Sequence, residues 1–211
     1  MAETEPLEAL DLAALLCSRV CHDLISPVGA VVNGMEVLEE TDDESTKAFA
    51  LDLIKKSAAQ ASARLQFCRL AFGAAGSAGA EIDLGDAESV ARGFIEDEKT
   101  TLGWQLNRVL LPKNRVKLLL NILVLAATII PRGGTITVEP IGDGASGGFR
   151  VSAAGSIMRV PPAMPALVQG ETTRAIDAHE IQPFYTGLLA RSCGLRVTIE
   201  PQGERTVISA A

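Results

Sequence analysis

Residues 20–38 read Val20-Cys21-His22-Asp23-Leu24-Ile25-Ser26-Pro27-Val28-Gly29-Ala30-Val31-Val32-Asn33-Gly34-Met35-Glu36-Val37-Leu38, and their spacing decides how the N-terminal third folds. Apolar residues recur at Val20, Leu24, Val28, Val31, Met35 and Leu38, and the stripe extends back through Cys17, Ala13 and Leu10. Steps of three and four are the period of a helix with one buried face. The helix is expected over residues 8–40, with neither glycine nor proline before Pro27. Residues 41–44 form a turn that also spells a capping box, Thr41 with Glu44 three positions on. A second helix then runs to about residue 72 with a seam at Leu51, Ile54, Ala58, Ala61, Leu65, Cys68 and Phe72.

Two such helices joined by a short turn make an antiparallel hairpin. Alone, it leaves much of its apolar stripe in water. Pairing two hairpins into a four-helix bundle removes that surface, at roughly 1.5–3 kcal/mol for each Leu or Ile buried. A homodimer is therefore expected; the alternative is that the rest of the chain covers the hairpin.

Residues 73–79, Gly-Ala-Ala-Gly-Ser-Ala-Gly, punctuate the chain. The expected organisation is a hairpin over residues 1–76, a linker over 77–85 and a mixed α/β domain over 86–211. Within that domain the pattern predicts helices over residues 86–100, 114–130 and 180–193, the last stopped by Gly194. Strands are expected over residues 105–111, 135–140, 149–153, 195–200 and 205–209, with a hairpin turn at 143–148. The fold class is thus α plus α/β.

Composition narrows the function. The chain has 211 residues, a net charge of −7 and a pI near 4.9. Nucleic-acid binding needs a basic face to displace counterions, and no Lys/Arg cluster supplies one. The N-terminus carries Glu3, Glu5 and Glu8 rather than a basic signal-peptide region. The most apolar run, residues 118–130, is shorter than the ~20 residues a bilayer requires. Four cysteines, Cys17, Cys21, Cys68 and Cys193, fit a reducing compartment, so a cytoplasmic location is expected. The Cys17/Cys21 pair lacks a second pair of ligands at metal spacing and reads as small buried hydrophobes.

Two histidines exist, His22 and His179. His179, beside Glu180 near the start of a helix, reads as a surface or capping residue. At ~100° per residue, His22 lies about 160° from Leu24, on the side away from the apolar stripe. Its helical neighbours Ser18, Ser26 and Gly29 are small. With the hairpin turn at residues 41–43, its level faces roughly residue 61, where residues 57–63 are again nearly all small. Pro27 has no N–H for the carbonyl of Asp23, so the helix should bend or loosen there. This geometry alone fits an ordinary exposed histidine as well as a reactive one.

The run His22-Asp23-Leu24-Ile25-Ser26-Pro27 resembles the H-box of sensor histidine kinases: His, acid, Leu, any residue, Ser/Thr, Pro. The resemblance implies that His22 is a phosphoacceptor. It puts Asp23 where the family's general base or imidazole-orienting acid sits, and Ser26 where a residue can place water. Imidazole suits the task, being nucleophilic near neutral pH and forming a labile phosphoramidate. Ile25 and Val32, with Gly29 between them, are expected to form a docking strip for a partner's helix.

The second half resembles a histidine-kinase ATP-binding domain stripped of its ATP chemistry. Residues 118–126, Leu-Leu-Leu-Asn-Ile-Leu-Val-Leu-Ala, are similar to the N-box, with Asn121 kept and Leu125 where a second, metal-holding Asn belongs. Residues 151–155, Val-Ser-Ala-Ala-Gly, align with the first glycine box, where Ala153 replaces the adenine-binding Asp and Ile157 the second Gly. The lid is reduced to a Pro161-Pro162 stretch, and only Gly187 remains of the last glycine box. Without those amides and the Asn, ATP binding is not expected.

An intact H-box with such a domain resembles the ChpT-type histidine phosphotransferases. The resemblance implies a relay: a phosphoryl group arrives from the receiver of a hybrid kinase (CckA-like) and leaves for response regulators (CtrA-like and CpdR-like). It implies no cofactor in this chain, with Mg²⁺ supplied in the partner receiver. Competing readings are an autophosphorylating kinase and a non-catalytic dimeric scaffold or anti-kinase.

Overall fold

The computed structural model describes residues 7–73, 80–142, 147–171, 176–178 and 180–211. Helix α1 spans Ala9–Glu40 without interruption through Pro27, and α2 spans Glu44–Ala71 antiparallel to it. The hairpin closes tightly because Gly34 leaves room for α2: a Cβ there would stand 2.6 Å from Ile54 Cγ1. The cap of α2 differs from the expected box. Asp43, not Thr41, is the N-cap, and its carboxylate accepts from Thr46 N at 2.8 Å and Thr46 Oγ1 at 2.7 Å. Those hydrogen bonds, with one from Ser45, hold its pKa at about 2.

The C-terminal half is a two-layer α/β sandwich. Strand β1 (Glu81–Asp83) pairs with β3 (Leu110–Pro112), bracketing α3 (Leu84–Ile95) and β2 (Thr100–Trp104). Helix α4 (Lys113–Ile129) leads into β4 (Gly134–Ile141) and β5 (Gly148–Ala154). Helices α5 (Met164–Gln169) and α6 (Ile181–Ser192) precede the terminal hairpin β6 (Val197–Gln202) and β7 (Arg205–Ala210). The main sheet has the order β2-β4-β5-β7-β6, with β2 and β4 parallel and the other neighbours antiparallel. Helix α4 lies on this sheet between α3 and α6, and Leu118, Leu119, Leu120, Ile122 and Leu123 are wholly buried.

Three expected elements shift. The helix expected to reach residue 100 stops at Ile95 because Asp97 accepts from the amides of Lys99 and Thr100 at 2.8 and 2.7 Å. A carboxylate that bonds its own backbone competes with helix and turns the chain. The strand therefore begins at Thr100, and residues 105–109 connect β2 to β3 instead of forming the expected strand. Helix α5 was not anticipated beyond the Pro161-Pro162 stretch, and β1 occupies part of the expected linker. Residues 74–79, most of the turn at 143–148 and His179 lie outside the described residues.

The two halves meet at the C-terminal end of α2. Phe67, fully buried, stacks on Phe94 of α3 with ring centroids 3.9 Å apart, and Phe72 meets Tyr185 of α6 at 5.8 Å. The α/β domain covers this end and leaves the rest of the stripe open: Leu10 is 84% exposed, Val28 50% and Met35 47%. Helix α1 is also long and apolar enough to cross a membrane, with a mean hydropathy of 1.4 over one window. Arg19, His22 and Asp23 near its middle, and the packing of one side along α2, give it the two-sided character of a bundle helix.

Candidate phosphoacceptor site

His22 projects from the middle of α1 with its side chain 75% exposed, as its position away from the apolar stripe requires. Its Nδ1 stands 3.6 Å from Oδ1 of Asp23, whose side chain is only 14% exposed. The other oxygen, Oδ2, accepts from Arg19 Nε at 3.0 Å, one turn earlier. Arg19, Asp23 and His22 thus form a line along one side of the helix. A carboxylate facing Nδ1 favours a proton there and leaves the Nε2 lone pair available. Arg19 escaped the sequence reading, although its place four residues before Asp23 is the ordinary spacing of a helical ion pair.

The surroundings are open and partly apolar. Ser26 is exposed, Ile25 is 70% exposed and Val32 51%. A Cβ built on Gly29 would meet nothing within 4 Å, so this stretch of helix presents bare backbone between the two apolar side chains. The facing wall of α2 differs from expectation. The carbonyl of Asp23 is met by Arg64, whose Nη1 donates to it at 2.5 Å, so a long side chain rooted just beyond residues 57–63 reaches this level of α1. Arg64 also opens onto a groove toward the C-terminal domain that Asp97, Lys99 and Arg132 share.

Beneath this surface lies Cys68, buried, its thiol pushed up to about 11 by desolvation and then by the nearby Asp23 charge. Cys17 and Cys21, expected to be buried, are exposed in the single chain, because none of the described residues covers that side of α1. Among the described residues no cluster of His, Cys, Asp and Glu is arranged to hold a metal ion.

Most of the positions that resemble nucleotide motifs sit in the core. Asn121 is fully buried; its Nδ2 donates to Ala71 O at 3.1 Å and to Lys117 O at 2.8 Å, while its Oδ1 accepts from Gln182 Nε2 at 2.6 Å. This side chain therefore ties α4 and α6 to the last turn of α2. Leu125 is 1% exposed and Ala153 wholly buried, both packed in the hydrophobic cluster. Gly187 serves close packing, since a Cβ there would stand 2.0 Å from Val168 O of α5. Asn121, Leu125, Ala153 and Gly187 thus all serve packing, whereas Ile157, where the second glycine of the first box is expected, is 40% exposed.

Comparison with known proteins agrees with this arrangement. Residues 84–205 match the model of the histidine phosphotransferase C-terminal domain. The chain is 51% identical to the protein phosphotransferase ChpT of Brucella abortus (strain 2308) over 205 residues, covering 97% of each chain. A solved bacterial phosphotransferase superposes with a TM-score of 0.88 at 48% identity, covering 98% of each chain. A His-Asp-Leu-Ile-Ser-Pro run on an open hairpin, an α/β domain matching the family model, and likeness along nearly the whole chain lead to one assignment: the chain belongs to the ChpT-type histidine phosphotransferase family, which acts in phosphorelays.

Proposed function

We propose that His22 is the residue through which the phosphoryl group passes. The observation that carries this reading is an imidazole three-quarters exposed, its Nδ1 turned toward a carboxylate that is itself held by an arginine. In the forward step the Nε2 lone pair attacks the phosphorus of a receiver's aspartyl phosphate, the P–O bond breaks and the aspartate leaves as carboxylate. The ring then keeps its proton on Nδ1, and Asp23 offsets the charge that develops there. The second transfer is the same displacement run onto another receiver's aspartate. Mg²⁺ in the receiver shields the phosphoryl oxygens, so this chain needs few catalytic groups of its own.

Ile25, Gly29 and Val32 form the docking strip, and Ser26 stands at the position from which a water can be placed. The donor is a CckA-like hybrid-kinase receiver, and the acceptors are CtrA-like and CpdR-like regulators, in the cytoplasm. The functional unit is a homodimer: Leu10, Val28 and Met35 are the apolar stripe, and a second hairpin buries them in a four-helix bundle. Hairpin and α/β domain divide near residues 76–86.

The test mixes purified protein with a receiver carrying labelled phosphate. Label should appear on His22 and disappear when a second receiver is added. Label on any other residue, or uptake that survives His22→Gln, overturns the assignment.

A further inference from the structure

Pro27 creates a vacancy that the hairpin fills. In an α-helix the carbonyl of residue i accepts from the amide of residue i+4. For Asp23 that residue is Pro27, which has no N–H and is itself buried. A carbonyl turned toward packed protein without a donor is strongly disfavoured, so it should find one elsewhere. The donor comes from the opposite helix, 41 positions away: Arg64 Nη1 at 2.5 Å from Asp23 O. The same guanidinium lies close enough, with Arg19 and Asp23, to act on the buried Cys68 thiol, so the three charges share one partly buried locus under His22.

We infer that Arg64 is a positioning residue for phosphoryl transfer: it replaces the hydrogen bond that Pro27 cannot make and so fixes the turn of α1 carrying His22 and Asp23. The inference rests on His22 being the phosphoacceptor. Pro27 removes one hydrogen bond from the otherwise continuous helix at this turn, and Arg64 supplies one from outside the helix. Asp23 is then held twice, by Arg19 at its carboxylate and by Arg64 at its carbonyl. The imidazole beside it inherits that orientation, and alignment of nucleophile with phosphorus is where small misplacements are amplified.

The experiment is a double-mutant cycle in the full chain, since Pro27→Ala restores an amide at the place Arg64 serves. Transfer from a phosphorylated receiver is followed in single turnover for wild type, Arg64→Ala, Pro27→Ala, the double variant and Arg64→Lys. Arg64→Ala should lower the maximal rate about tenfold while changing the half-saturating receiver concentration by less than about threefold. Arg64→Lys, which keeps a donor, should recover most of that rate. In the Pro27→Ala background, Arg64→Ala should have little further effect.

Equal losses in both backgrounds, a change confined to half-saturation, or an unaltered rate each overturn the inference. Should Arg64→Ala unfold, as judged by helical content and melting, Arg64→Met keeps the apolar stem and carries the same comparison. His22→Gln run alongside separates the two levels: uptake surviving it sinks the acceptor assignment, whatever Arg64 does.

Discussion

Helices α1 and α4 are both long and apolar, yet they are used in opposite ways. In α4, 12 of 17 residues are buried, whereas in α1 only Pro27 and Gly34 of 32 are buried. Helix α4 is packed between the sheet, α3 and α6, and its Asn121 and Leu125, where the resemblance to histidine kinases puts a nucleotide motif, are buried. Helix α1 carries the proposed phosphoacceptor His22 and is largely uncovered in the single chain. The difference in burial is what the proposed relay role of α1 requires.

That contrast can be broken most sharply by exchanging the expected costs. His22→Gln should abolish phosphoryl uptake while moving stability by no more than about 0.5 kcal/mol, because an exposed side chain has little packing to lose; measured uptake and a denaturant midpoint check both. Leu123→Ala, wholly buried in α4, should lower unfolding free energy by about 2–5 kcal/mol, with the remaining folded fraction still accepting phosphate. A stability loss at His22 or a selective loss of transfer at Leu123 would mean that the two helices do not divide the work.

Two smaller effects sharpen the picture along α1 and its neighbour. Ile25→Asp together with Val32→Asp should slow transfer on the order of tenfold to a hundredfold by weakening encounter, leaving melting temperature and helical content near wild type. Asp43→Ala should lower the melting temperature slightly through loss of the α2 cap. The sign of its pH dependence follows from a folded-state pKa of about 2 against an ordinary 3.8. The cap's contribution is complete above pH 3.8 and fades as pH falls through about 2, so wild type and variant should converge in acid.

The hairpin was legible because a period of three and four leaves one arrangement for each helix, and the exposure of His22 follows directly from that period. Arg64 was not, because its role depends on the register between helices. A guanidinium rooted at residue 64 reaches across a level where the sequence offers mostly small side chains. The vacancy at the Asp23 carbonyl was visible in sequence; the residue that fills it was not. Strand β2 was missed for a different reason, since Asp97 ends α3 by bonding its own backbone where local propensity alone would continue the helix. Cys17 and Cys21 were read as buried because apolar spacing predicts a covered face, and spacing does not say which chain covers it.

The amide bridge from Gln182 through Asn121 to Ala71 also bears on how traffic through this molecule is governed. It pins the α/β domain to the last turn of α2 through a fully buried side chain, so a swing of that domain against the hairpin would first have to break buried hydrogen bonds. In the proposed relay, the direction of exchange would then be set by the abundance and phosphorylation of the receivers rather than by a domain stroke.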